Sequence, residues 1–379
     1  MKRKLIFDIG SSRVNGALVV FNRKKEASIE RVFQSESIIL PETDLHRLWK
    51  KMALLIDGMV KDFKDSALAV DEALVVFSSP WYFSEIREIK KDFGEPVAIT
   101  GDFIEKLLTE DAENFKKHYT DNFNLGVGDL MHASSRIMSA KLNDYPILEP
   151  LKNMPDKKTQ TISAFVYASA VFGEAAARIK MALEDCGVKS VEFQSSPFVF
   201  LKVFLKEGLG DLLVVDIGGE ITDVIVIKGG KIFKMASFGR GLNYAARRLG
   251  PSFKVGLDEV MALLSNYIEG KLEKSFQESV AQALKDALTE WQSLLKEALE
   301  KHIFPDLVPQ KVFVTGHGGG VAEFKKALNL PDSAKFTEHG RPFEIFESKP
   351  AISHFKNASY VLNKPHLSLI GLYSTYAIQ

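Results

Sequence analysis

The stretch Leu5-Ile-Phe-Asp-Ile-Gly-Ser-Ser-Arg-Val-Asn-Gly-Ala-Leu-Val-Val20 decides the fold of this chain. Two apolar runs flank a turn rich in Gly, Ser and Asn, and this pattern is typical of a β-hairpin. A second stretch repeats the arrangement in the other half of the chain, Leu212-Leu-Val-Val-Asp-Ile-Gly-Gly-Glu-Ile-Thr-Asp-Val-Ile-Val-Ile227. Two such hairpins indicate duplicated domains that face each other.

The two hairpins match at their polar positions. The matched pairs are Asp8 with Asp216, Gly10 with Gly218, and Asn15 with Asp223. In each turn, small residues beside an Asp let backbone N–H groups point at phosphate oxygens with no Cβ in the way. The Asp can hold Mg2+, usually through water. Tight-turn chemistry explains one copy equally well, whereas two copies favour a phosphate site.

A third element, Val312-Phe-Val-Thr-Gly-His-Gly-Gly-Gly320, is a strand that feeds glycines into a helix. Glycines at such a junction permit close backbone approach to a ligand, and a helix N-terminus favours an anion or a ribose. Taken alone, this loop is weak evidence for a binding site.

Composition excludes several classes of function. The 379 residues contain 49 Lys and Arg against 49 Asp and Glu, so no global field attracts nucleic acid or an anionic membrane. The run Arg247-Arg248 is expected to be a solvated face. The single cysteine, Cys186, excludes a disulfide framework and indicates a reducing cytoplasm. No apolar window approaches the ~18 residues that span a bilayer, so we expect neither secretion nor a membrane span.

Periodicity and turn residues predict a mixed α and β chain. Helices are predicted over Leu45–Phe63, Phe103–His118, Gly173–Asp185, Leu257–His302 (interrupted at Gly270) and Val321–Leu328. Strands are predicted over Ala73–Phe77, Val97–Thr100, Thr161–Tyr167 and Lys311–Thr315. Loops are predicted over Asp121–Asp129 and Pro146–Lys158.

The three glycine motifs, in this order, resemble the first phosphate, second phosphate and adenosine motifs of the actin-like ATPases. Within that superfamily the chain is most similar to bacterial FtsA and PilM. Phe238-Gly-Arg-Gly-Leu-Asn243 and Gly371-Leu-Tyr-Ser-Thr-Tyr-Ala377 extend the resemblance over nearly the whole chain. It implies an α/β, two-lobed (ribonuclease H-like) fold with a small α+β subdomain, of the SHS2 type, inserted in the first lobe.

The implied domains are residues 1–83 (first lobe), 84–187 (inserted subdomain) and 188–379 (second lobe, with a helical part at about 240–310). The resemblance implies MgATP as the cofactor. Its phosphate contacts would come from Asp8, Gly10, Ser11, Ser12, Arg13, Asp216, Gly218, Gly219, Thr222, Gly241, Gly316, Gly318 and Gly319. Asp8 and Asp216 would hold Mg2+, through water.

Family members orient the attacking water with a Glu or Gln at the end of a strand, and Gln194 is the best match. Its alternative is a solvent-facing polar residue, because the alignment also fits Glu192. A Gln positions water but is a poor base, so at most slow ATPase activity is implied. Met261 and Leu264 stand where the family has an adenine-contacting Glu-x-x-Lys.

Two further departures concern the phosphate motifs. His317 interrupts the third glycine run, and Glu220 places a carboxylate where the second motif usually has Gly. A carboxylate aimed at phosphates would repel them unless Mg2+ or Arg240 intervened.

The function implied by the resemblance is an ATP-responsive cytoplasmic scaffold in cell division or pilus assembly, acting through self-association or partner docking. Its partners would lie at the inner membrane face. The chain shows no amphipathic anchor after Ala377, which favours recruitment by a partner, as in PilM. One alternative is a degenerate module that no longer binds nucleotide; a second is a small-molecule kinase of the same superfold.

Overall fold

The computed structural model describes residues 2–22, 27–66, 68–123, 125–126, 128–330, 332–345, 355–356 and 365–376. Its strands are β1 Lys2–Ile9, β2 Val14–Phe21, β3 Ala27–Gln34, β4 Glu72–Phe77, β5 Tyr82–Ala98, β6 Leu130–Leu142, β7 Tyr145–Ile147, β8 Lys158–Phe172, β9 Ser190–Ser195, β10 Leu212–Ile217, β11 Thr222–Lys228, β12 Lys231–Phe238, β13 Lys311–Thr315, β14 Glu344–Ile345 and β15 Phe355–Lys356. Its helices are α1 Leu45–Asp65, α2 Gly101–Phe123, α3 Pro150–Asn153, α4 Gly173–Glu184, α5 Ser196–Lys206, α6 Leu242–Phe253, α7 Leu257–Ile268, α8 Lys274–Ala298, α9 Ala322–Ala327 and α10 Pro365–Tyr376. Ala377, the last residue of the predicted final segment, lies outside the described residues.

Both predicted hairpins are confirmed. β1 pairs antiparallel with β2, with Asp8 opposite Asn15, and β10 pairs antiparallel with β11, with Asp216 opposite Asp223. The strands are buried on both faces, which explains why their apolar runs are nearly continuous. The first sheet has the order β15-β3-β2-β1-β4-β9 and the second has the order β12-β11-β10-β13-β14.

Each sheet carries its own helical layer. The core of the first lobe lies between its sheet and the helices α1 and α4. The core of the second lobe lies between its sheet and the helices α6 to α9. The predicted helical stretch Leu257–His302 is divided into α7 and α8 at Gly270, whose φ of +66° favours glycine, and it ends in a π-helical turn at Leu299–Ile303.

A separate antiparallel sheet, in the order β5-β8-β6-β7, is inserted between β4 and β9, with α2 packed against it. The short strand predicted at Val97–Thr100 is wrong in extent, because Val97 and Ala98 are the end of the 17-residue β5. β5 is an edge strand with exposed charges, so its apolar signal is weak. The segment predicted as a loop at Pro146–Lys158 contains part of β7 and all of α3.

A third core joins the two lobes. α5 and α10 pack together, with apolar residues of both large sheets around them. β9 and β15 follow residue 188 in the chain, yet both pair within the first sheet. The domain boundaries at 83 and 187 stay a prediction.

Candidate functional site at the meeting of the two hairpin turns

The two hairpin turns have the same backbone geometry. The N–H of Gly10 donates to the carbonyl of Arg13 at 3.1 Å, and the N–H of Gly218 donates to that of Ile221 at 2.9 Å. The turns are therefore equivalent residue by residue, which extends the match predicted from the sequence. Ser12 in the first turn corresponds to Glu220 in the second.

The two turns touch each other. The backbone N–H of Glu220 donates to the Oγ of Ser11 at 2.9 Å. A Cβ added to Gly219 would lie only 2.5 Å from the Cβ of Ser12, and both Ser11 and Ser12 are buried. The backbone groups predicted to bind phosphate oxygens thus face another part of the same chain.

Between the two hairpins lies a side chain that the sequence did not single out. The Nε2 of His366 lies 2.7 Å from the Oδ1 of Asp216, and its Nδ1 lies 3.5 Å from the Oδ1 of Asp8. Burial of the ring lowers its pKa, but the charges of Asp216 and Asp8 outweigh burial and raise the pKa of His366 well above its ordinary value. The two carboxylates therefore favour the protonated form of the ring.

The third glycine loop closes the other side of the site. His317 is half-buried, and its Nδ1 lies 3.0 Å from the Oγ of Ser12. Burial, with the charges of Arg13 and His366, lowers the pKa of His317 to about 3, so the ring is neutral. A Cβ on Gly316, whose φ is +84°, would lie 2.4 Å from Asp216 Oδ1. Position 316 requires glycine for two reasons: its φ lies in the left-handed region, and the loop packs directly against β10.

Glu220 differs from the expectation that its carboxylate would be aimed at phosphates. The carboxylate is buried and accepts hydrogen bonds from Thr43 Oγ1 at 2.8 Å, from Asn243 Nδ2 at 2.7 Å, and from both terminal nitrogens of Arg247 at 3.0 and 2.8 Å. Arg240, the predicted partner, instead binds Glu290. Glu220 therefore points away from the gap between the turns.

The expectation that Arg247 belongs to a solvated face is wrong. Its side chain is 13% exposed, and besides Glu220 it donates to the carbonyl of Leu40 at 3.2 Å. Since Leu40 and Thr43 follow the first hairpin while Arg247 lies on α6, this cluster ties the two lobes together. Arg248, by contrast, is exposed.

The Glu220 cluster predicts a pH dependence of stability. Burial raises the pKa of Glu220, but the hydrogen bonds and the charge of Arg247 outweigh burial and lower it below its ordinary 4.5. The carboxylate therefore contributes stability that is complete above about pH 4.5 and is lost as the pH falls through the folded-state pKa. We expect the free energy of unfolding, measured with urea between about pH 5 and pH 3, to fall more steeply in the wild type than in Glu220→Gln. Parallel curves for the two proteins would contradict this role.

The remaining predicted phosphate contacts have structural partners. The hydroxyl of Thr222 donates to the carbonyl of Arg240 at 2.7 Å and accepts from the indole of Trp291 at 3.0 Å. The guanidinium of Arg13 donates from Nε to Ser37 Oγ at 3.1 Å. Gly10 and Gly218 form the turns themselves, while Gly318 packs against Ile217 and Gly319 lies near Val314. These residues surround the predicted site, and the side-chain groups of Thr222 and Arg13 bind other parts of the protein.

Gln194 lies on the same face of the first sheet as Asp8, two strands away. It is buried rather than solvent-facing, and its Nε2 donates to Glu192 Oε1 at 3.1 Å. Glu192 also lies 3.6 Å from Lys4 Nζ and accepts from Tyr373. Its role in positioning water stays a prediction.

MgATP does not fit the site as the residues stand. The phosphate chain would have to lie between turns that are in van der Waals contact at Ser12 and Gly219. The cation would have to share the space between Asp8 and Asp216 with the ring of His366. On the predicted adenine side, Leu264 is buried in the core of the second lobe. No chemical step through a bound nucleotide follows from this arrangement of residues.

Comparison of the fold with known structures supports the resemblance. A chain from a PilM–PilN type IV pilus biogenesis complex aligns over 98% of this chain and 97% of its own length, with a TM-score of 0.63 and 14% identity. The chain has the actin-like ATPase fold. PilM, with its whole-chain alignment, is among its structural neighbours.

Two other neighbours are more distant. The ethanolamine utilization protein EutJ from Carboxydothermus hydrogenoformans aligns over 98% of this chain and 90% of its own, with a TM-score of 0.47 and 11% identity. MreB 5 of Spiroplasma citri bound to AMPPNP aligns over 87% and 90%, with a TM-score of 0.40 and 11% identity. No family model and no curated protein sequence matches this chain.

Proposed function

We propose that this protein is a scaffold that docks partner proteins, and that the gap between its hairpin turns is a structural joint rather than a nucleotide site. The observation that carries the proposal is the contact between Ser12 and Gly219, because the two turns that would enclose a phosphate chain already touch each other there. The ion pairs of His366 and the Glu220 cluster support it, since both supply within the chain the lobe-to-lobe links that a nucleotide would otherwise supply.

The process that we propose is the assembly of a pilus-type complex at the cytoplasmic face of a membrane. The likeness to a PilM chain over nearly the full length of both proteins supports this choice over cell division. No described helix combines the length and the apolar character that a bilayer crossing requires. We therefore propose that a partner protein recruits the chain to the membrane.

Thermal unfolding with and without millimolar MgATP tests the joint. A ligand that binds only the native state at about 100 times its Kd raises stability by about 2.7 kcal/mol, which is several degrees in Tm. We expect no shift. A shift that disappears in Asp8→Ala and in Asp216→Ala would overturn the proposal and support an ATP-responsive scaffold instead. ATP consumption that requires an added acceptor would support the kinase alternative.

A further inference from the structure

Helix α10 is apolar on all sides. Leu367, Leu369, Ile370 and Leu372 are 0–1% exposed, and they point in different directions around the helix. α10 contacts β1, β2 and α5, and its apolar residues belong to the core that also contains strands of the second sheet. The helix therefore packs on the first sheet and on α5, within a core that continues to the second sheet.

His366 is the second residue of this helix, and its ring contacts both lobes at once. One ring nitrogen faces the carboxylate at the end of β1, and the other faces the equivalent carboxylate at the end of β10. The ring is 5.3 Å, centroid to centroid, from that of Phe200. Its close polar contact is from Nε2 to Asp216 at 2.7 Å, whereas Nδ1 lies 3.5 Å from Asp8. Ser78 Oγ lies 3.4 Å from Nδ1.

We propose that the imidazole of His366 fills the place between Asp8 and Asp216 and bridges them across the lobes, and that α10 thereby holds the two lobes together. Two buried carboxylates at equivalent strand ends repel each other unless a cation lies between them. Asp8 has a second link, from Asn15 Nδ2 to its Oδ2 at 3.2 Å, but this stays within the first lobe. His366 is thus the side chain that joins the two carboxylates across the lobes.

The inference rests on the proposed function in one respect, because a bound MgATP would need the space of the imidazole. It goes further in assigning control of lobe closure to α10. Removal of the ring is expected to leave a carboxylate pair that binds an added cation. The wild type is expected not to bind one there.

The first experiment is a double-mutant cycle on Tm. His366→Asn should lower Tm by about 4–6 °C, because loss of the ring between two buried carboxylates costs about 3–5 kcal/mol and a chain of 379 residues shifts by little more than about 1 °C per kcal/mol. Adding Asp216→Asn to it should recover at least half of that loss, because one of the two negative charges is gone. Tyr373→Phe in the same helix is the control for simple loosening of α10, since it removes only a hydrogen bond to Glu192.

The second experiment is chemical rescue. In His366→Gly, millimolar imidazole or MgCl2 should raise Tm, and hydrogen exchange at residues 10–13 and 218–221 should slow again. The same additions should leave the wild type and Tyr373→Phe unchanged. Failure of both additions, or a double variant less stable than His366→Asn, would overturn the inference.

Different results would contradict the proposed function and the proposed role of α10. If the wild type gains stability with MgATP, the proposed function is wrong whatever the His366 variants do. If the wild type ignores MgATP and the His366→Asn loss is no larger than that of Tyr373→Phe, the joint stands but α10 does not hold the two lobes together.

Discussion

Arg247→Met is expected to lower the free energy of unfolding by about 3–5 kcal/mol, because it leaves the buried carboxylate of Glu220 without its cation. Glu220 is 1% exposed, so water cannot replace the two lost hydrogen bonds. Arg247 also links α6 to Leu40 and Thr43 of the other lobe. Urea denaturation measures the loss, and hydrogen exchange at residues 35–43 should rise with it.

Arg248→Met provides the matched control. Arg248 is the next residue on α6 and is exposed, so its replacement should change stability by no more than about 0.5 kcal/mol. The double variant Glu220→Met with Arg247→Met should recover most of the loss, because an apolar pair replaces a buried ion pair at little net cost. An Arg247→Met protein as stable as Arg248→Met would show that the cluster does not join the lobes.

The sequence predicted the two-hairpin framework because its signals are local. Asp8 and Asp216 each lie where an apolar strand meets a glycine turn. A window of about ten residues is enough to recognise this pattern. The same locality explains the successful prediction of α1, α4 and β13. β5 was mostly missed, since an exposed edge strand does not need a continuous apolar run.

The closure of the site could not be predicted from these local signals. His366 is 150 residues from Asp216 along the chain, and a lone histidine in the first turn of an apolar helix carries no pattern of its own. The burial of Arg247 is equally unpredictable, because the dipeptide Arg247-Arg248 does not show which of the two side chains points inward. One signal was available: Glu220 places a carboxylate where the matched first turn has Ser12, and a carboxylate requires a cation when it is buried.

The sites that join the lobes share one physical feature, which is that charge is neutralised between segments distant in sequence. His366 neutralises the ends of β1 and β10, and Arg247 neutralises Glu220 beside Thr43. Loss of either side chain leaves a buried carboxylate without its partner in the other lobe.

Gly241→Ala is expected to destabilise the protein by at least about 2 kcal/mol through overpacking against backbone. A Cβ there would lie 2.4 Å from the carbonyl oxygen of Gly218 and 2.5 Å from that of Gly219. Those carbonyls cannot move aside freely, because they accept hydrogen bonds from the N–H groups of Leu242 and Asn243 at 2.9 and 2.8 Å. Thermal unfolding measures the loss, and hydrogen exchange in the second turn should rise because the turn is displaced from the N-terminus of α6.

Gly239→Ala, two residues earlier in the same segment, separates this clash from a general effect of adding a methyl group. No atom lies within 4 Å of the position that its Cβ would take, and its φ is not in the left-handed region. Its replacement should leave stability within about 0.5 kcal/mol of the wild type, or raise it slightly by restricting the unfolded chain. Equal losses in the two variants would mean that the whole segment is sensitive to substitution, and the close packing of α6 on the second turn would then not be what Gly241 provides.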